Sequence, residues 1–181
     1  MIDNKYIIKT HRLGLRNWTP SDIVPFIEMS QDPEVMNYFP KLLSEEDSKD
    51  FIIRMQRHFK DFGFCYFAID ILKNEEFIGF TGLLHQTFKS DYTPCVDMGW
   101  RLKQSAWGMG YATEAAIECL KFAFNILKLN EVYSFATNNN IRSEAVMKKI
   151  GMNFVGTVQH PMIVGDHRFK HCVVYNIKKI K

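Results

Sequence analysis

The chain has 181 residues, 46% hydrophobic and 24% charged, with a formal net charge of +3 at pH 7. That length fits one domain over residues 1–181 with a full core, and basic residues cluster only at Lys178, Lys179 and Lys181, which excludes the stripe of a nucleic-acid binder. No apolar run is long enough to span a membrane, Met1–Lys5 lack a secretion signal's apolar stretch, and Cys65, Cys95, Cys119 and Cys172 show no paired spacing, so reduced thiols in a cytoplasmic protein without a membrane partner are expected.

In chain order, Ile7–Arg16 alternates and reads as a first strand. A helix starts at Thr19 or Ser21, with Pro20 at a tolerated early position. Ser30-Gln31-Asp32-Pro33 breaks it and opens a short helical turn holding Val35 and Met36. Ser44, followed by Glu45, Glu46 and Asp47, caps a further helix that runs to about Phe59. Phe64–Ile71 and Glu76–Leu84 form a hairpin across Lys73-Asn74-Glu75, and Thr93–Leu102 is the next strand. A helix then runs from the glycine turn Gly108-Met109-Gly110 to about Leu127, with Ala112, Ala116, Leu120, Ala123 and Leu127 on one face. Glu131–Thr137 is a strand and Ile141–Ile150 a short helix stopped by Gly151. Met152–Gln159 and Arg168–Ile177 are a terminal strand pair. The order is an antiparallel meander followed by one crossover unit, which makes a mixed α/β sheet and not a doubly wound parallel one. The 15 phenylalanines are read as core packing.

The most informative stretch is Trp107-Gly108-Met109-Gly110-Tyr111-Ala112-Thr113-Glu114-Ala115. Two glycines between a strand and a helix place free N–H groups and a positive dipole end where a phosphate can approach without a Cβ in the way. A dinucleotide fingerprint would need Gly or Ala at position 113, which holds Thr, and no Gly-Lys-Ser/Thr follows for a P-loop. The pattern resembles the pyrophosphate loop of the GNAT N-acetyltransferase superfamily, Gln/Arg-x-x-Gly-x-Gly/Ala, with Trp107 in the first position. That variant is similar to the ribosomal-protein-alanine acetyltransferase (RimJ/RimL) branch. Segments 10–16, 32–36, 97–102, 140–143 and 146–152 resemble the same branch in the same order.

The resemblance implies a central twisted sheet of about seven mostly antiparallel strands, helices on both faces, and a splayed cleft for CoA. It implies acetyl-CoA as co-substrate, no metal, and an amine acceptor that is a protein N-terminus, a polyamine or another small amine. Main-chain groups around Trp100, Arg101 and Leu102 would pair with the pantetheine arm like an added strand. The N–H groups of Gly108, Met109, Gly110, Tyr111, Ala112 and Thr113 would hold the pyrophosphate, with Trp107 opening that cofactor-binding loop, and Asn140 would meet the pantetheine amides. Attack would be direct, through a tetrahedral intermediate whose oxygen accepts a strand N–H.

Asp97 occupies the position where the branch carries a catalytic Glu. It either receives the amine proton, through a water, or makes a structural hydrogen bond. Ser143 matches the branch serine that protonates the leaving thiolate; Met147 stands where many of these enzymes carry a tyrosine for that task. Ser143 and Asn140 also suit a helix cap. Trp18, Tyr38, Phe39, Phe88 and Tyr92 are candidates for an acceptor pocket or for packing. His160, His167 and His171, with Asp166 between, lack metal-ligand spacing and read as a substrate-side loop or surface histidines. The alternative reading is a non-catalytic acyl-CoA-binding sensor or subunit, favoured by Asp in place of Glu at position 97. A third is CoA-dependent transfer to a hydroxyl group. A homodimer is left open, because no self-complementary face is legible.

Overall fold

The computed structural model describes residues 5–159 and 167–179. An eight-stranded sheet runs in the order β1-β2-β3-β4-β5-β6-β8-β7, where β1 is Ile8–Lys9, β2 Leu13–Arg16, β3 Tyr66–Ile71, β4 Glu76–Gln86, β5 Cys95–Leu102, β6 Glu131–Thr137, β7 Asn153–Gln159 and β8 His171–Lys178. Every neighbouring pair is antiparallel except β5 and β6, which run parallel. The helices are α1 (Ile23–Ser30), α2 (Glu45–Phe62), α3 (Tyr111–Asn125), α4 (Ile141–Lys149) and the single turn α5 (His167–Lys170). No helix among the described residues is long and apolar enough to cross a membrane.

The expected single strand Ile7–Arg16 is instead a tight hairpin, which raises the strand count to eight. Its turn is held by Glu114 of α3, whose carboxylate accepts the Thr10 hydroxyl, the Arg12 N–H at 2.9 Å and the Arg12 Nε–H at 2.6 Å. At the helical turn expected around Val35 and Met36, the Met36 N–H donates to the Asp32 carbonyl at 3.0 Å and the Asp32 side chain accepts the Glu34 N–H at 2.9 Å, so the segment makes one helical turn and continues as tighter turns without becoming a regular helix. The last expected strand begins three residues later, at His171, since Phe169 tucks inward on α5 and breaks the alternation.

α2 starts as its sequence dictates: Ser44 Oγ accepts the Asp47 N–H at 3.0 Å, Asp47 accepts the Ser44 N–H at 3.2 Å, and three acids fill the first turn. Gly63, at φ 77°, closes it. α1 and α2 cover one sheet face through an aromatic cluster: Phe26 stacks on Phe51 at 4.9 Å, Phe51 meets Phe80 at 5.1 Å, and Trp18 meets Phe26 edge-on at 5.1 Å. α3 covers the other face, where Phe122 meets Phe67. Trp18 is therefore core, at 2% exposure, and its indole N–H donates to the Tyr66 carbonyl at 2.6 Å.

Candidate active site

The parallel pair that joins the two halves of the sheet has one register contact, Asp97 opposite Tyr133. Beyond it β5 and β6 diverge, so Gly99–Leu102 have β4 on one side and no strand on the other. This is the splay that the crossover from β5 through α3 to β6 produces, and it leaves a strand edge able to pair with an extended ligand.

At the end of that edge the Trp107 indole N–H donates to the Leu102 carbonyl at 2.9 Å, fixing the entry to the glycine turn. Gly108 and Gly110 have φ values of 74° and 76°, which L side chains rarely adopt. A Cβ on Gly108 would meet nothing within 4 Å, so backbone conformation and open approach, not crowding, explain the residue. Gly110 is the N-cap of α3 and offers no side chain to its first-turn N–H groups, which leaves them for a ligand.

A cleft of about 670 Å³ lies over this edge. Trp100, Arg101, Leu102, Trp107, Gly108, Gly110, Tyr111, Ala112, Thr113, Asn140 and Ser143 line it, as does the basic pair Arg142 and Lys149. Met109 does not; it is 56% exposed. Arg142 lies over the Trp107 ring at 4.3 Å, and Arg12 over the Tyr111 ring at 4.5 Å. The open glycines, the unspent strand edge and the basic flank fit a long ligand with a diphosphate. Asn140 caps α4, its Oδ1 accepting the Ser143 N–H at 3.1 Å. Met147, at 1% exposure, is buried among the core residues.

A second cavity of about 350 Å³ adjoins the first and shares Tyr38, Phe39, Trp100, Arg101, Asn140 and Ser143 with it. Phe88 and Asp97 line it as well; Tyr92 does not, its hydroxyl donating to the Val155 carbonyl at 3.2 Å. Asp97 is 6% exposed, and its Oδ1 accepts the Tyr66 hydroxyl at 2.7 Å and the Gln86 side-chain amide at 3.1 Å. Burial pushes its carboxyl up to about 7, although both hydrogen bonds pull the other way. Burial, and then the neighbouring carboxylate, hold the Tyr66 phenol well above its ordinary value, so it remains a donor.

Sequence reasoning missed Tyr66 and Gln86, which reach Asp97 only through sheet register: Tyr66 pairs with Gly82, and Gly82 with Gly99. The legible signal was the strand glycine, which marks close approach by another group. A Cβ on Gly99 would stand 2.9 Å from Tyr66 Cζ, so glycine there leaves room for the phenol to cross β4 and lie over β5 beside Asp97. The described residues contain no group of three metal-ligating side chains, and His160 and Asp166 lie outside them.

A mixed sheet splayed after its one parallel pair, with a glycine turn on a helix start and a buried acid at the fork, defines an acyl-transfer fold. The model of the acetyltransferase (GNAT) domain matches residues 12–153, and the chain belongs to that family of acetyltransferase enzymes. It is similar to the uncharacterized protein YkkB of Bacillus subtilis, 28% identical over 83% of this chain and 87% of that one. It is also similar to the uncharacterized N-acetyltransferase YnaD of the same organism, 30% identical over 82% and 84%. A GNAT-family acetyltransferase from Bacillus anthracis has a similar structure, with a TM-score of 0.78 and 25% identity over 94% of this chain and 97% of that one.

Proposed function

We propose that the protein moves an acetyl group from acetyl-CoA to a primary amine, as a cytoplasmic enzyme of the RimJ/RimL type. The observation that carries this reading is Asp97, a buried carboxyl raised to about 7, lining the smaller cavity where it meets the larger. A group with that affinity takes a proton near neutral pH far better than a free Asp, which titrates near ~3.9.

The larger cleft would hold the CoA: the N–H groups of Gly108–Thr113 on its diphosphate, the free β5 edge along its pantetheine, and Arg142 and Lys149 beside its phosphates. The bound thioester supplies the activated acetyl group. The amine nitrogen bonds to the acetyl carbon to give a tetrahedral intermediate, which collapses as the carbon–sulfur bond breaks and the CoA thiolate leaves. Asp97 accepts the proton that the amine gives up, through a water. A β5 N–H donates to the acetyl oxygen as negative charge develops there. The Ser143 hydroxyl would donate to the departing sulfur; Ser143 lines both cavities, and its backbone N–H donates to Asn140 at 3.1 Å. Most of the acceleration comes from holding both reactants at the splay.

The test mixes the protein with acetyl-CoA and a panel of monoamines, polyamines and peptides with free N-termini, and follows thiol release. Amine-dependent release is expected. CoA binding with no release over any acceptor overturns the reading in favour of the sensor.

A further inference from the structure

The smaller cavity, which the acceptor would occupy, holds a second charged side chain, shared with the larger cleft, that the acetyl-transfer chemistry does not use. Arg101 Nε and Nη1 are buried and have no hydrogen-bond partner. Leaving guanidinium donors unmet inside a protein is costly, so the arrangement calls for a partner that the chain itself does not supply. Alternation along β5 puts Arg101 on the face of Asp97 and Gly99, beneath α1 and α2, and its cross-strand partner there is Phe80. The guanidinium is clamped by stacking: its carbon lies 4.0 Å from the Phe39 ring centre and 5.4 Å from that of Phe80. Burial lowers its affinity for a proton to about 10, so it stays charged at neutral pH. The Thr137 hydroxyl, which lines the same cavity, is likewise buried without a partner.

The charge count of the cavity is informative. Among the described lining residues, Asp97 and Arg101 are the ionisable acid and base, and the remainder are chiefly aromatic or small. Such a lining gives a polycation only one carboxylate and sets an uncompensated guanidinium against it. It suits a molecule with one amine for Asp97 and one anion for Arg101.

We propose that Arg101 selects an acceptor that carries an anionic group, a carboxylate or a phosphate ester, in addition to the amine it presents to Asp97. This deepens the acetyl-transfer reading and rests on it. Arg101 binds the anion in bidentate fashion, turns the amine end toward the splay, and discriminates against polyamines.

The test compares β-alanine, glycylglycine, aminoethyl phosphate, propylamine and spermidine as acceptors for the wild-type protein, Arg101→Met and Arg101→Lys. Wild type is expected to prefer the anionic amines in kcat/KM, and the carboxylate and phosphate arms tell the two anions apart. Arg101→Met raises KM for the preferred class by about 10- to 100-fold, and the kcat/KM ratio of anionic amines to propylamine falls by the same factor. Arg101→Lys recovers part of the loss. A purely structural arginine would destabilise the fold when replaced, whereas removal of an unmet buried charge leaves Tm equal or higher. Equal or better turnover of propylamine or spermidine overturns the anion site and keeps acetyl transfer, as does an Arg101→Met effect on acetyl-CoA alone. Titration of the same acceptors into the CoA-bound protein separates the two failures: Arg101-dependent binding of anionic amines without turnover keeps the site and overturns acetyl transfer. Absence of both turnover and binding for every anionic amine overturns the site too.

Discussion

Asp97→Asn is expected to lower kcat by about 10²- to 10⁴-fold while CoA affinity stays as in the wild type, the range for loss of a general base. The variant keeps an oxygen at the position where Tyr66 and Gln86 donate, so the local geometry survives and the proton acceptor is lost. The wild-type pH profile carries the same information. Asp97 acts only when ionised, and burial places its ionisation at about 7. The rate should therefore climb tenfold per pH unit below that value and level above it, and the variant should lose this limb. The stability change has the opposite sign. Between the unfolded value near ~3.9 and the folded value, the native state holds a proton that the unfolded chain has released, so this group's contribution to stability falls as pH rises across that window. Asp97→Asn should be at least as stable as wild type at pH 8 by chemical denaturation. A variant with full kcat and an unaltered profile would show that Asp97 is a structural strand residue.

Replacement of Arg16 by Ala should cost about 3–5 kcal/mol of stability, the range for stranding buried charge. Arg16, Asp22 and Asp70 are 6%, 1% and 0% exposed. The guanidinium donates from Nε and Nη2 to Asp70 and from Nη1 and Nη2 to Asp22, all between 2.7 and 2.8 Å. This fork ties β2 to β3 and to the turn at Pro20–Asp22 that starts α1, and so supports the helices over the acceptor cavity. Burial alone would raise the Asp22 carboxyl, but the Arg16 hydrogen bonds and the Thr19 N–H outweigh it and hold it below its ordinary value. In the wild type that stabilisation is present above the unfolded value and is lost as pH falls through the folded one. Without Arg16 the Asp22 carboxylate keeps only its Thr19 donors, and burial then favours its protonated form, so the loss should shrink between pH 7 and pH 5. Urea titrations at both values measure it; a loss under about 1 kcal/mol at pH 7 would make the network worth no more than a surface pair.

The parts of the fold that were legible are those with local causes. The capping box at Ser44, the hairpin over Lys73–Glu75 and the alternation of β3, β4 and β5 depend on neighbours in sequence. The first hairpin was hidden because Glu114, which holds its turn, comes from α3 far along the chain, and the strand period continues through the break. At the site, the glycine turn and the Asn140 cap were readable for the same local reason. Tyr66 and Gln86 were not, because which residues face Asp97 is set by cross-strand register, which a single sequence does not encode locally. Arg101 was read for its main chain alone. Its side chain acquires meaning only once Phe39 and Phe80 are seen to bury it without a partner.

The central claim is that the splay between β5 and β6 delivers a thioester beside Asp97 while the start of α3 grips its diphosphate. The most direct measurement is a crystal structure of the protein with CoA. The account predicts diphosphate oxygens about 2.7–3.2 Å from N–H groups of Gly108–Thr113, pantetheine running along Gly99–Leu102, and sulfur in the opening shared with Asp97 and Ser143. CoA bound elsewhere, or in that cleft with its sulfur directed away from the fork, would contradict it.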